Sequence, residues 1–352
     1  MKIGITGTGS YIPSVIAKNE DFLNHEFLGT DGAKFGYENA VIIEKFQSIT
    51  GIAERRYALP ELNTSDLGHL AADKALQDAG IDKEDLDYII FAHNFGDIEH
   101  GKIQGDTLPS LATRVKHLLR IKNPKCVAYD MIFGCPGWIE GVIQASAFIK
   151  SGLAKKCLVI GGETLSRVVD EHDRDSMIYS DGAGAAVIEA NPDGGEILGH
   201  ASLTFANGEA YYLFFDKTYN EGGCSNTRYI KMHGRKIYEF ACTHVPKAMA
   251  DCLEKSGVDI DEVKKIFIHQ ANEKMDEAII KRFYRLHNKE VPENIMPMSI
   301  HKLGNSSVAT IPTLYDLVRK GELEPHGVEK GDVVIFASVG AGMNINAFVY
   351  RV

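Results

Sequence analysis

Cys135 sits in the stretch DMIFGCPGWIEGVIQ, residues 130–144, where a strand-like apolar run gives way to a helix-like one. Pro136 follows it, a residue suited to the first turn of a helix. Backbone N–H groups at a helix start lack intrahelical partners, and the positive end of the helix dipole points at what precedes them. Both effects predict a thiol pKa below the free value of about 8.5, and the same N–H groups can receive an oxyanion. A nucleophilic thiol fits that setting, and so does an inert one, because buried cysteines are common core residues. His269 and Asn272, in FIHQANEKM, follow a strand and precede a helix. Asn305, in HKLGNSSVATIP, lies in a glycine turn before another helix. Singly, each fits a helix cap or a hydrogen-bonded core group. Together, a thiol, an imidazole and a carboxamide at such junctions form a set that can attack a carbonyl and stabilise the charge that develops.

The elements that carry these residues alternate. KIGITGTG predicts a strand and turn, and TSDLGHLAADKALQDAG a helix capped at Thr64 or Ser65 and stopped by Gly80. LDYIIFAH reads as a buried strand, and TLPSLATRVKHLLR as a helix with Pro109 in its first turn. KCVAYDMIF, KKCLVIGGE and DGAGAAVIEA are further strands, with a buried helix from Cys135 to Lys150. The second half repeats the theme. HGRKIYEFACTHVPKAMADCLEKSG is a long helix with an internal Pro246, VKKIFIHQ a strand, and NEKMDEAIIKRFYRL and SSVATIPTLYDLVRKG are helices. DVVIFASVGAGMNINAFVYRV makes two closing strands around a glycine turn. This alternation predicts an α/β fold of largely parallel sheets with helices on both faces, in two halves, 1–195 and 196–352. Sites in such sheets lie at the carboxyl ends of strands, where Cys135 falls. Residues 24–40 are turn-rich and predict a surface excursion.

The chain has 352 residues, 44% hydrophobic and 24% charged, ordinary values for a globular protein with a sizeable core. A formal net charge of -10 argues against general nucleic-acid binding and against docking on anionic membranes. No apolar run is long enough to span a membrane, and MKIGITGTGSYIP lacks the apolar stretch of a signal peptide. Cys126, Cys135, Cys157, Cys224, Cys242 and Cys252 include no Cys-x-x-Cys pair. Neither a zinc site nor a disulfide framework is expected, and apart from Cys135 these thiols read as core residues in a reducing cytoplasm.

The set Cys135, His269-Gln270-Ala271-Asn272 and Gly304-Asn305-Ser306-Ser307 resembles the Cys-His-Asn constellation of the thiolase-fold condensing enzymes. The match is to the β-ketoacyl-acyl-carrier-protein synthase III family. ITGTGSYIP at the start, TGIAERR at 50–56, SDGAGAAVIEA at 180–190 and the closing SVGAGMN extend it through nearly the whole chain. The resemblance implies a five-layered α/β/α/β/α fold of two pseudo-symmetric halves, and a homodimer. It implies that Cys135 takes up an acyl group as a thioester. The N–H groups of Cys135 and of the Gly340-Ala341 turn would form the oxyanion hole. Neutral His269 and Asn305 would donate to the enolate formed when a malonyl thioester loses carbon dioxide. No metal or redox cofactor is needed. By the same resemblance Asn272 positions the pantetheine arm or a water, Gly234 lies beside that arm, and Arg174 is on the nucleotide side. Leu108 would line the acyl pocket of the partner subunit. The implied partner is acyl carrier protein, which is acidic, so docking on this acidic chain needs a local basic patch. Lys274, Lys281 and Arg282 share one helix face, and Arg235 and Lys236 start the other helix at the mouth.

Lys45 and Ile49 stand where members that take a short acyl group from coenzyme A carry a tryptophan and an arginine. Leu108 replaces a bulky aromatic of the short-chain members, and the 24–40 stretch is longer than in the plainest ones. These departures point to a longer or unusual acyl chain, or to delivery on a carrier protein. A specialised synthase or acyltransferase of secondary metabolism would use the same three residues. A Cys-His-Asn hydrolase has these residue types in this chain order, but FGCPGW does not match its cysteine signature. A non-catalytic partner subunit typically loses the cysteine, which is present here.

Overall fold

The computed structural model describes residues 2–191, 194–220, 222 and 226–352, and Cys224 lies outside them. Up to residue 191 the strands are β1 (Ile3–Tyr11), β2 (Val15–Lys18), β3 (Glu54–Tyr57), β4 (Tyr88–Ala92), β5 (Val127–Met131), β6 (Lys156–Thr164) and β7 (Asp181–Ala190). The helices there are α1 (Asn39–Thr50), α2 (Thr64–Ala79), α3 (Leu111–Leu118) and α4 (Gly137–Lys150). Beyond it lie β8 (Glu196–Thr204), β9 (Leu213–Asp216), β10 (Tyr229–Met232), β11 (Val263–Ile268), β12 (Val333–Gly340) and β13 (Asn344–Arg351). Their helices are α5 (Gly234–Ser256), α6 (Glu273–Leu286), α7 (Ile300–Leu303) and α8 (Thr310–Arg319).

Two sheets form the frame, one ordered β1-β7-β6-β4-β5 and the other β11-β12-β13-β8. From β1 inward the first runs antiparallel, antiparallel, parallel, parallel. From β8 inward the second runs antiparallel, antiparallel, parallel. The shared pattern is the internal likeness that the order of elements suggested. The sheets are mixed, however, where largely parallel ones were expected. The turn between β12 and β13 is too short for a parallel crossover, which needs a dozen or more residues.

Successive side chains of a strand point to opposite faces, so each buried strand serves two layers. In β6, Val159 faces the middle of the molecule with Trp138 and Val142 of α4, whereas Leu158 faces Leu67 and Ala71 of α2. In β12, Phe336 faces the middle with Leu314 and Tyr315 of α8, whereas Ile335 faces Met249 of α5 and Ile279 of α6. The layers are therefore α2 and α3, first sheet, α4 and α8, second sheet, α5 and α6. A run such as VVIFASVG, buried at every position, is what a strand covered on both faces requires.

An aromatic stack closes the middle layer. Phe336 lies 4.4 Å from Phe348 and 5.1 Å from Phe267, nearly parallel to both, with Tyr315 edge-on at 5.0 Å. Phe336→Ala is expected to destabilise the fold by about 3–5 kcal/mol, because it removes the shared ring and leaves a cavity. Equilibrium denaturation of the two proteins measures this directly.

Several boundaries differ from expectation. The cap of α2 is Asn63, in a capping box with Asp66, and its stop is Gly80 as expected. Pro109 lies outside α3, whose cap is Ser110. α4 begins at Gly137 with Pro136 at the cap, so Cys135 precedes the helix by two residues. Residues 24–40 are not a mere surface excursion. Phe27 is buried with Phe22, Ile42, Ile43 and Met177; Leu28 is buried too, and its N–H donates to His172 O at 2.8 Å. Among the described residues no helix is long and apolar enough to cross a membrane.

Candidate active site

Two turns meet at Cys135. After β5 the chain turns through Gly134, at a φ of 69°, where a Cβ would come within 2.7 Å of the Ala341 nitrogen. Opposite it, a Cβ on Gly340 would collide with the Cys135 nitrogen. Only glycine at both positions lets the two backbones touch. Asn344 staples them, with Nδ2 donating to Phe133 O at 3.2 Å and to Ala341 O at 3.0 Å. Its Oδ1 accepts from Thr204 Oγ1 at 2.7 Å. The result keeps the N–H groups of Cys135 and Ala341 near enough to the sulfur to favour its charged form, and Ser307 Oγ donates to Sγ at 3.3 Å.

These donors pull the thiol pKa down, but burial outweighs them and pushes it up to about 11. The expectation of a lowered pKa from the helix start is thus overturned. The sulfur lines a cavity whose surrounding core desolvates it, it stands outside the first turn of α4, and the nearby Glu163 carboxyl adds to the upward shift. Cys126, Cys157, Cys242 and Cys252 are buried core thiols.

His269 extends β11 by one residue, its N–H donating to Ala337 O at 2.9 Å. The ring is buried, and burial pushes its pKa down to about 4, so it is neutral at physiological pH. Nδ1 has no partner among the described residues. An orphaned buried acceptor costs less than an orphaned N–H, which favours the tautomer with the proton on Nε2. Asn305 is clamped to the segment that leads into β7, its N–H donating to Ile178 O at 2.9 Å and its carbonyl accepting from Ser180 N at 2.9 Å. Its Oδ1 accepts from Ser307 N at 2.8 Å, which leaves Nδ2 as its donor.

His269 also carries a pH signature. Its folded pKa lies below the unfolded value of about 6.5, so the unfolded chain binds the extra proton first. The stability it allows is present above pH 6.5 and is lost as pH falls toward about 4. His269→Gln is expected to reduce the acid loss of stability across that window by about 3 kcal/mol relative to the parent chain. Denaturation curves of both proteins at several pH values test it, and the difference between them cancels the other titrating groups.

Cys135, His269 and Asn305 line one cavity of about 880 Å³, together with Asn272, Gly234, Arg174, Arg235, Gly340 and Ala341. Asn272 caps α6 as well, its side chain accepting from Met275 N at 3.0 Å. A Cβ on Gly234 would meet nothing within 4 Å, so the space beside it is open. Lys45 and Ile49 are in the lining too. Lys45 Nζ sits 4.5 Å above the Tyr37 ring, and the Arg174 guanidinium 5.0 Å above Phe35. Leu108 is not brought to the cavity of its own chain and is 88% exposed. Lys236, Lys274, Lys281 and Arg282 lie outside the lining, on the adjoining helices α5 and α6. Arg235 pairs with Glu239 at 2.9 Å and Lys281 with Glu277 at 3.6 Å, exposed pairs of small energetic worth. Asn94 and Glu163, which no sequence motif marks, stand behind Ser307. Each ends or follows an apolar strand, the same signal that marks Cys135 and His269.

Five layers with a thiol, an imidazole and a carboxamide converging between the sheets define a thiolase-type α/β protein. Residues 129–205 match the family model for 3-oxoacyl-[acyl-carrier-protein] synthase III, and residues 253–352 match the model for its C-terminal region. A beta-ketoacyl-[acyl-carrier-protein] synthase III from Oceanobacillus iheyensis is 32% identical, over 100% of this chain and 99% of that one. The crystal structure of 3-oxoacyl-[acyl-carrier-protein] synthase III from Aquifex aeolicus superposes with a TM-score of 0.80 at 30% identity, over 99% of this chain and 100% of that one. The synthase III structure from Thermus thermophilus gives 0.82 at 28% identity, over 99% of both chains. The chain belongs to the 3-oxoacyl-[acyl-carrier-protein] synthase III family.

Proposed function

We propose that the protein is a synthase III-type acyltransferase that loads an acyl group on Cys135 and condenses it with malonyl-acyl-carrier protein. The observation that supports this most is the convergence of Cys135, His269 and Asn305 on one apolar-walled cavity. Cys135 sulfur attacks the carbonyl of an acyl thioester and expels the donor thiol. The N–H groups of Cys135 and Ala341 hold the oxyanion of that step. A malonyl thioester then loses carbon dioxide, and its thioester oxygen takes up negative charge. Neutral His269 and the Asn305 amide donate to that oxygen. The resulting carbanion attacks the acyl-Cys135 carbonyl, the carbon–sulfur bond breaks, and 3-oxoacyl-acyl-carrier protein leaves. None of these steps requires a metal or redox cofactor.

Asn272 and the open space beside Gly234 serve the pantetheine arm. Arg235, Lys236, Lys274, Lys281 and Arg282 form the docking patch for acyl carrier protein. A homodimer gives exposed Leu108 a place in the partner's acyl pocket. The setting of this chemistry is the cytoplasm. A second reading, a specialised synthase with a longer or carrier-bound donor, draws on the mouth of the cavity. There Lys45 and Arg174 are engaged with the rings of Tyr37 and Phe35 rather than standing free for a nucleotide.

The test is to incubate the protein with an acyl donor and malonyl-acyl-carrier protein and weigh the carrier. Formation of 3-oxoacyl carrier with one carbon dioxide per product supports the proposal. Release of free acid without condensation product favours a hydrolase.

A further inference from the structure

A hydrogen-bonded chain runs from the Cys135 sulfur into the core, and no step above uses it. Glu163, at the β6 end, is fully buried. Its Oε1 accepts from the Asn94 N–H at 2.8 Å and from Asn94 Nδ2 at 2.6 Å. Its Oε2 has no partner among the described residues. The contact to Oε1 orients the Asn94 amide with its NH2 group inward, and Nδ2 also donates to Ser307 Oγ at 3.2 Å. A hydroxyl that accepts from Asn94 keeps its own proton to give, and Cys135 Sγ lies 3.3 Å away. The donor order therefore runs one way, from Asn94 through Ser307 to the sulfur.

We propose that Glu163 and Asn94 are positioning residues that hold the Ser307 hydroxyl as a hydrogen-bond donor to the Cys135 thiolate. This rests on the reading of Cys135 as the nucleophile. His269 is neutral and offers the thiolate no positive charge. During acyl transfer the Cys135 and Ala341 N–H groups are taken up by the carbonyl oxygen, which leaves Ser307 as the donor for sulfur. The same donor receives the thiolate that departs when condensation breaks the acyl–sulfur bond. Burial pushes the Glu163 pKa up to about 8, so near neutral pH its carboxyl anchors Asn94 mostly as an uncharged group.

The test is the rate of Cys135 alkylation by iodoacetamide in the full chain, read on the Cys135 peptide by mass spectrometry. Below the thiol midpoint this rate follows the thiolate fraction. Ser307→Ala is expected to slow it about tenfold, the worth of one hydrogen bond to a charged group. Asn94→Ala is expected to slow it as well, because the hydroxyl is then free to turn away. Glu163→Leu is expected to slow it more than Glu163→Gln, whose side-chain oxygen still accepts from Asn94. A purely structural role would lower the melting temperature and leave the rate alone. An unchanged or faster rate in Ser307→Ala overturns the proposal, whether or not the Glu163 variants fold. Acyl loading of the parent chain is scored separately, so failure of the synthase reading and failure of this one are told apart.

Discussion

Cys135→Ala is expected to abolish acyl loading and to lower condensation on the order of 10⁴-fold or more, while carbon dioxide release from a malonyl thioester continues. The two half-reactions use different atoms. Loading needs the sulfur, and the variant has none. Decarboxylation needs donors to the thioester oxygen, and in the proposed mechanism those are His269 and Asn305, both held by backbone bonds that do not involve the thiol. The substitution is also mild for the fold, because the meeting of the two turns depends on Gly134, Gly340 and Asn344 rather than on the cysteine side chain. Labelled carbon dioxide and carrier mass read the two half-reactions in one sample. Loss of both together would mean that the thiol, not the His269 and Asn305 pair, governs decarboxylation.

His269→Ala and Asn305→Ala should each reduce decarboxylation by about 10²–10³-fold, the usual loss on removing one oxyanion donor. Acyl loading of Cys135 should fall far less, since its proposed oxyanion donors are backbone N–H groups. Burial of His269 is central here. A neutral ring donates one proton to a developing enolate and keeps it, and the low dielectric around it strengthens that bond. If both donors meet one oxygen, the double variant should lose less than the product of the single losses. Equal loss of loading and decarboxylation in either single variant would contradict the assigned roles.

The layers were legible because the strands that serve two cores are apolar at nearly every position, as in β12. The directions of the strands were not, because pairing joins β1 to β7 and β8 to β13 across long stretches of chain. Cys135, His269 and Asn305 stood out as polar groups at the ends of apolar elements. Their meeting in one cavity is a tertiary fact that only the family resemblance anticipated. The thiol pKa ran opposite to expectation because a helix start is local whereas desolvation comes from the whole surrounding core. The Glu163, Asn94 and Ser307 chain was hidden for the same reason, since its members lie 69 and 213 residues apart. In residues 24–40 turn-forming composition masked Phe27 and Leu28, both of which are buried.

The central claim is that Cys135 carries the acyl group, and the intact mass of the protein after incubation with acyl thioesters tests it most directly. Donors roughly two to twelve carbons long, each on coenzyme A and on carrier protein, cover the candidates, with Cys135→Ala as control. The account predicts a mass gain equal to the acyl group, lost in the variant, from at least one donor. A folded protein that gains no mass from any of them would contradict it.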